Sequence, residues 1–424
     1  AVSRGILLEF VGAKEVRTTV AVKEVPKTGS SSEQTAMREM LLLNKKLRSS
    51  HPNIIRMYDV KSTGSTFYVI LQLCSFSLAR MPKDFVDFLH AGSASASTST
   101  STSTKTEQGN NNNNNNKNRQ RLIKNKSMDT TSSTHAGSIV LSALVHDLLR
   151  AVAFLHDHHI MHCDIKVGNL LVSFNRSGKR HEYAPHHFHL AQLVVADFGV
   201  SRVFDDQHKD HTHDATATIT ITPSATDDPL RHIAGTESFM SPEILRLLEQ
   251  QRELQQQGLP ANMPQLSESV YVANDAFGCG CAIAFLCSRG LHPFGHHVFR
   301  SIPKNIAVYR RLPLNSMGIA DERHIELVDK LTAKDPSVRW TPQQALDQSP
   351  LFDKTVQDDS QVLLDTIQFY QKPEGSARDQ LLQPSLVAQY PTLPNSVSAT
   401  DKACIDHIVR TVMAKEAYLP TKLD

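Results

Sequence analysis

The stretch "HCDIKVGNLL", His162–Leu171, sets a carboxylate, an ammonium and an amide (Asp164, Lys166 and Asn169) along one short polar run. Upstream, the apolar residues of "SIVLSALVHDLLRAVAFLHDHH" recur at helical spacing, and downstream "NLLVSF" reads as a strand. The charged groups are therefore expected on a loop between a helix and a strand.

Outward from that loop, the chain divides by composition. Gly5 to Val25 holds two β-rich runs separated by a polar turn, as in a hairpin. A helical pattern follows in "EQTAMREMLLLNKKL", then two strand-like runs, "HPNIIRMYDV" and "STFYVILQLC". From Ala91 to about Gly137 a Ser/Thr alternation and an Asn run bury too little apolar surface to offset the entropy of ordering, so a disordered insertion is expected there. After the opening loop come a His-rich segment, a strand in "QLVVADFG", and a second polar tract from Ser201 to about Leu230. Helical regions are expected around Ile244–Gln256, Asp275–Cys287 and His324–Leu331, with "TPQQAL" opening another.

Forty-five Lys and Arg against 43 Asp and Glu leave a net charge of +2, so charge selects neither nucleic acid nor an anionic membrane as a partner. With 40% hydrophobic residues the 424-residue chain can bury a large core. The six cysteines lack the spacing and density of a disulfide scaffold, which predicts reduced thiols and a cytoplasmic setting. The run "AFGCGCAIAFLC" is expected to be small core residues, shorter than the ~20 apolar residues a membrane helix needs. Because the chain opens on Ala1 in strand-like sequence, a fragment is expected.

Phosphoryl transfer from ATP requires a cation on the nucleotide phosphates, hard oxygens for Mg²⁺, and a carboxylate near the incoming hydroxyl. Lys23 in "VAVK" supplies the cation and Glu39 in "REMLLL" can hold it; Asp197 in "ADFG" and Asn169 supply oxygens; Asp164 is the carboxylate, with Lys166 beside it to neutralise the transferred group. In order along the chain, "VAVK", an acidic helix residue, "HxDxKxxN", "DFG", "GTESFMSPE", an Asp before "FGCGC", and "DPSVRW" resemble the eukaryotic protein kinases.

That resemblance implies an α+β, bilobal fold: a small antiparallel-sheet N-lobe with one main helix (1–74) and a larger, mainly helical C-lobe (75–352) carrying the insertion and a long activation segment, 197–243, before a tail at 353–424. It implies Asp164 as catalytic base, Lys166 on the phosphate, Asn169 and Asp197 as magnesium ligands, and Lys23 with Glu39 as the ion pair positioning ATP. Ala21 and Leu171 would sandwich the adenine, beside Leu71 as gatekeeper and a hinge from Gln72 to Cys74. Glu243 with Arg339, and Asp275, are implied as architectural residues, and His162 and Phe198 as packing residues. Lys166, two residues after the base, matches the Ser/Thr pattern.

Three departures stand out. Cys163 occupies the place of an arginine that binds a phosphate on the activation segment, and a thiol cannot make that bidentate contact. Gly5 falls near the last glycine of the Gly-rich loop, without the first two. His186, His187, His189, His208, His211 and His213 lack the spaced second cluster of a metal site, so solvated loop histidines are expected.

"HPNIIRMYDV", "FYVILQLCSFSL", "GTESFMSPEIL" and "GLHPFG" further resemble the inositol-requiring sensor kinase and endoribonuclease family of the unfolded protein response. This implies a protein substrate that can include the chain itself, a homodimer, and membrane attachment only through upstream sequence, at the cytosolic face of the endoplasmic reticulum. The tail lacks that family's basic nuclease motif, so no direct nucleic-acid binding is expected. Two alternatives stay open: a nucleotide-sensing scaffold, in which ATP orders an interface without transfer, motivated by Cys163 and the long activation segment, and a sensor whose output is an endoribonuclease domain mostly absent from this chain.

Overall fold

The computed structural model describes residues 2–11, 14–27, 39, 42–43, 47, 51–91, 116–174, 183–204, 235–258, 266–295 and 301–352. By contacts the chain separates into two units, residues 1–85 with 141–349, and residues 86–140 with 350–424. Every site residue considered below belongs to the first.

Strands β1 (Val2–Val11), β2 (Lys14–Pro26), β3 (Met57–Ser62) and β4 (Thr66–Gln72) form an antiparallel sheet in the order β1-β2-β4-β3. Alternation decides which face is buried. Val25 and Val69 anchor an apolar cluster completed by Met57, Val60, Phe67 and Leu71. The β2–β4 register sets Ala21 opposite Leu71 and Lys23 opposite Val69. The β3 strand begins only at Met57, because "HPNIIR" is a turn that docks elsewhere: Ile55 N donates to Val195 O at 2.9 Å, and Asn53 Nδ2 to Leu193 O at 2.8 Å. Of the helix expected after β2, Glu39 is helical and buried with Leu42, Leu43 and Leu47; the remainder lies outside the described residues.

The second half of the unit is mainly helical: the α+β arrangement holds. Helices are α1 (Lys83–Leu89), α2 (Asn116–Asp157), α3 (Pro242–Gln256), α4 (Glu268–Cys287), α5 (Ile302–Ala307), α6 (Glu322–Leu331) and α7 (Pro342–Gln348). Two small sheets lie among them: β5 (Phe76–Ser77), β7 (Leu170–Ser173) and β8 (Gln192–Val195) form one, and β6 (Ile160–Met161) pairs with β9 (Arg202–Val203) in the other. In α2, Leu144, Val145, Leu148, Leu149, Val152 and Leu155 are buried at the helical spacing expected of them. The helix itself begins at Asn116, inside the stretch expected to lack order, while 92–115 lie outside the described residues.

Helix α4 starts two turns before the expected Asp275, because Ser267 sits at its N-cap position and the mixed stretch "ESVYVAN" continues the same helix. Its apolar run thus belongs to a helix of 20 residues, long enough by length and composition to cross a bilayer, as is Gly137–Asp157. Its most apolar window is 83% buried inside the protein, the condition of a core helix. Small residues are needed there: a Cβ at Gly280 would lie 2.6 Å from Thr332 Cγ2, and one at Gly278 2.9 Å from Ile165 O. Helix α7 opens with a capping box between Thr341 and Gln344.

Candidate active site

Strand alternation puts Lys23 on the same face of β2 as Val25, directly opposite Val69, and its ammonium meets two carboxylates. Nζ lies 2.5 Å from Glu39 Oε2 and 3.7 Å from Asp197 Oδ1. Burial works against the ammonium, but Glu39 and then Asp197 outweigh it and hold Lys23 above the ordinary lysine value. Glu39 is 2% exposed, and burial raises its carboxyl above the usual value despite the opposing pull of Lys23.

The loop from His162 to Asn169 is tied by its main chain. Asp275, fully buried on α4, accepts from His162 N at 2.8 Å (Oδ2), Cys163 N at 2.8 Å (Oδ1) and His156 Nε2 at 3.1 Å (Oδ2). Cys163 itself takes a left-handed φ of 66°, a strained conformation for a residue with a Cβ that this pair of bonds sustains. The His162 ring packs edge-on against Phe198 at 5.0 Å and its Nε2 lies 3.1 Å from Ala196 O, coupling the loop to the segment that carries Asp197. Asp197 also has a left-handed φ, 69°.

Within this frame the Asp164 carboxylate is held at both oxygens. Oδ2 accepts from Lys166 Nζ at 2.6 Å and Asn169 Nδ2 at 3.0 Å; Oδ1 accepts from Thr236 N at 2.8 Å. Lys166 Nζ also donates to Thr236 Oγ1 at 2.8 Å. Asn169 Nδ2 additionally donates to Asp164 O at 3.0 Å, so both amide protons are spent and Oδ1 is left as an acceptor. Asn169 Oδ1 and the half-exposed Asp197 carboxylate are hard oxygens of the kind magnesium takes in small number beside phosphate and water.

Of the residues expected around adenine, Ala21 and Leu71 are direct neighbours across β2 and β4. Gln72 N donates to Arg56 O at 2.8 Å, and Cys74 is half-buried just beyond. Leu171 lies on β7, half-buried between the fully buried Leu170 and Val172, so its side chain leaves the core face. Glu243 and Arg339 meet bidentately at 2.6 and 3.1 Å. The histidines 208, 211 and 213 lie outside the described residues.

Two participants escape a reading of the motifs. Thr236 stands within the quoted "GTE", yet nothing local reveals that its amide reaches Asp164 from 72 residues away. His156 looks like one of several histidines closing a helix; only the fold aims it at Asp275.

Residues 113–351, more than half of the chain, match the protein kinase domain family, and the chain belongs to that family. The antiparallel-sheet and helical parts are those of the kinase fold. The match includes Asp164, Lys166, Asn169 and Asp197; Lys23 and Glu39 precede it and rest on geometry.

Among curated proteins the chain is similar to inositol-requiring kinase/endoribonucleases. The sensor for unfolded proteins in the ER ire1 of Schizosaccharomyces pombe is 24% identical over 321 residues, 75% of this chain and 23% of that protein. The serine/threonine-protein kinase/endoribonuclease IRE2 of Homo sapiens is 24% identical over 265 residues, 62% of this chain and 18% of that one. The serine/threonine-protein kinase HAL5 of Candida glabrata is 26% identical over 203 residues, covering 48% and 16%. The chain therefore spans roughly a fifth of the length of these relatives.

Proposed function

We propose that the chain is a serine/threonine protein kinase that transfers the γ-phosphate of ATP to protein hydroxyls, its own included, in signalling of the unfolded-protein-response type. The observation that carries this reading is the Asp164 carboxylate, oriented at both oxygens by Lys166, Asn169 and Thr236. Held there, Asp164 orients an incoming serine or threonine hydroxyl and accepts its proton, and Lys166 offsets charge on the phosphoryl group in flight. Lys23, aimed by Glu39, holds the α- and β-phosphates, while Ala21, Leu71 and Leu171 enclose adenine and the Gln72–Cys74 backbone meets its edge. Asn169 Oδ1 and Asp197 would hold magnesium, which would supply positive charge against the phosphate oxygens.

The similarity to a sensor for unfolded proteins in the ER supports placement at that organelle; its cytosolic face and dimerisation are what the family resemblance implies, and all belong to this same proposal. No RNA chemistry is proposed for this chain. Asp164→Asn tests the reading. Label transfer from [γ-³²P]ATP should fall by about 10²–10⁴-fold with nucleotide affinity preserved. Unchanged phosphorylation removes Asp164 from its role, and a wild-type chain that binds ATP without transferring label favours the scaffold instead.

A further inference from the structure

Position 163 faces the beginning of the activation segment, and what meets it there is apolar. Cys163, Met161 and Tyr271 are buried together, with Val200 and Phe204 of the activation segment and Leu266 and Val272 packed on them. Burial, with the Asp275 carboxylate nearby, pushes the Cys163 thiol well above its ordinary value, so it stays a neutral packing group that donates to Met161 O.

Four further contacts close the segment onto the catalytic loop. Ile160 pairs with Val203 and Met161 with Arg202. Phe204 N donates to His159 O at 2.9 Å, and Ser201 Oγ to His162 O at 3.2 Å. The Phe204 ring lies 5.7 Å from that of Tyr271, and the Arg202 guanidinium sits 4.9 Å over the same ring, so the cation beside position 163 faces an aromatic surface. Tyr271 stands one helical turn before Asp275 on α4. That helix thus grips the catalytic loop twice, by hydrogen bonds at Asp275 and by packing at Tyr271.

We propose that Tyr271 is a positioning residue: with Cys163 and Phe204 it forms an apolar clasp that holds the Asp164 loop and the first part of the activation segment in register without a phosphate on that segment. The kinetic part rests on the phosphotransfer reading above; the clasp itself does not.

Hydrogen exchange of residues 159–164 and 199–204 tests it on the whole chain, after phosphatase treatment and in a variant with Ala at every Ser and Thr of 205–234. Both forms should be protected to within about twofold of each other, and Tyr271→Ala should speed exchange of these two segments by about tenfold or more. Alongside, Tyr271→Ala should lower kcat about tenfold with KM for ATP held within about twofold, and Tyr271→Phe should restore kcat and protection, since it keeps the ring that meets Phe204 and Arg202. Phe204→Ala, at a half-buried position, repeats the exchange test from the other side of the clasp if Tyr271→Ala does not fold. Fast exchange in the dephosphorylated wild type, or protection untouched by Tyr271→Ala and Phe204→Ala, overturns the clasp. Absence of label transfer by the wild type instead overturns the kinase reading and leaves the exchange result to decide the clasp.

Discussion

Asp275 and Lys23 stand in two regions of the molecule that hold charge in place by different means. Asp275 is wholly buried and accepts from two backbone N–H groups and an imidazole, so the Asp164 loop is tied through its main chain. Lys23 reaches Glu39 and Asp197 through a long side chain that is 28% exposed. A backbone donor on a buried acceptor cannot let go without leaving an unpaired polar group, whereas a flexible ammonium exchanges one anionic partner for another at little loss. On the proposed reading, the group assigned to the chemistry is on the rigid side, and the group assigned to the nucleotide is on the adjustable side.

Asp275→Ala is the most direct way to break this contrast. It strands two buried N–H groups, and with each worth ~1–3 kcal/mol the loss should reach about 3 kcal/mol in a urea titration. A loss under ~1 kcal/mol would mean the loop is held elsewhere.

Acid separates the regions next. Burial lowers His292, 3% exposed in the helical part, to about 4, only partly opposed by the Ser238 backbone. Its ordinary value is 6.5, so between about 6.5 and 4 the unfolded chain takes up a proton that the folded chain refuses. Stability should be flat above neutrality and fall across that window by roughly 3 kcal/mol, and His292→Asn should flatten the slope. His51, at the turn joining the sheet to β8, is lowered to about 4 by burial and Arg150, and acts in the same direction. A slope unchanged in the His292 variant places the acid sensitivity elsewhere.

Lys23→Met probes the adjustable side. It should cost about 100-fold in kcat/KM, near 2.7 kcal/mol of barrier, with a smaller shift in the unfolding midpoint than Asp275→Ala produces. Equal or greater destabilisation would show that the ion pair is as structural as the Asp275 brace. The smallest effect belongs to Arg252→Ala on α3, whose partner Glu237 follows Thr236 directly. The pair is 56% and 38% exposed, so its removal should change stability by less than ~0.5 kcal/mol.

How much of this was legible before folding varies with the distance between partners. Asp164, Lys166 and Asn169 could be read because they share one loop, where spacing alone limits where side chains can go. The strands around Lys23 and the core face of α2 were legible for the same reason, since a period of two or 3.6 is local. The start of α4 at Glu268 was not, because its first turns mix polar and apolar residues and only Ser267 marks the boundary. Thr236 on Asp164 and His156 on Asp275 were not legible either, as contacts across 72 and 119 residues leave no periodic trace.

The sequence by itself determined which chemical groups stand together on the Asp164 loop, and that a thiol stands where a guanidinium was expected, because both are matters of residue identity and order. Only the tertiary structure decided that Lys23 meets Glu39, that Asp275 ties the loop through its backbone, and that Tyr271 and Phe204 fill the space around Cys163. Those outcomes depend on which buried surfaces close-pack against one another, and packing is settled by the whole core at once rather than by neighbours along the chain.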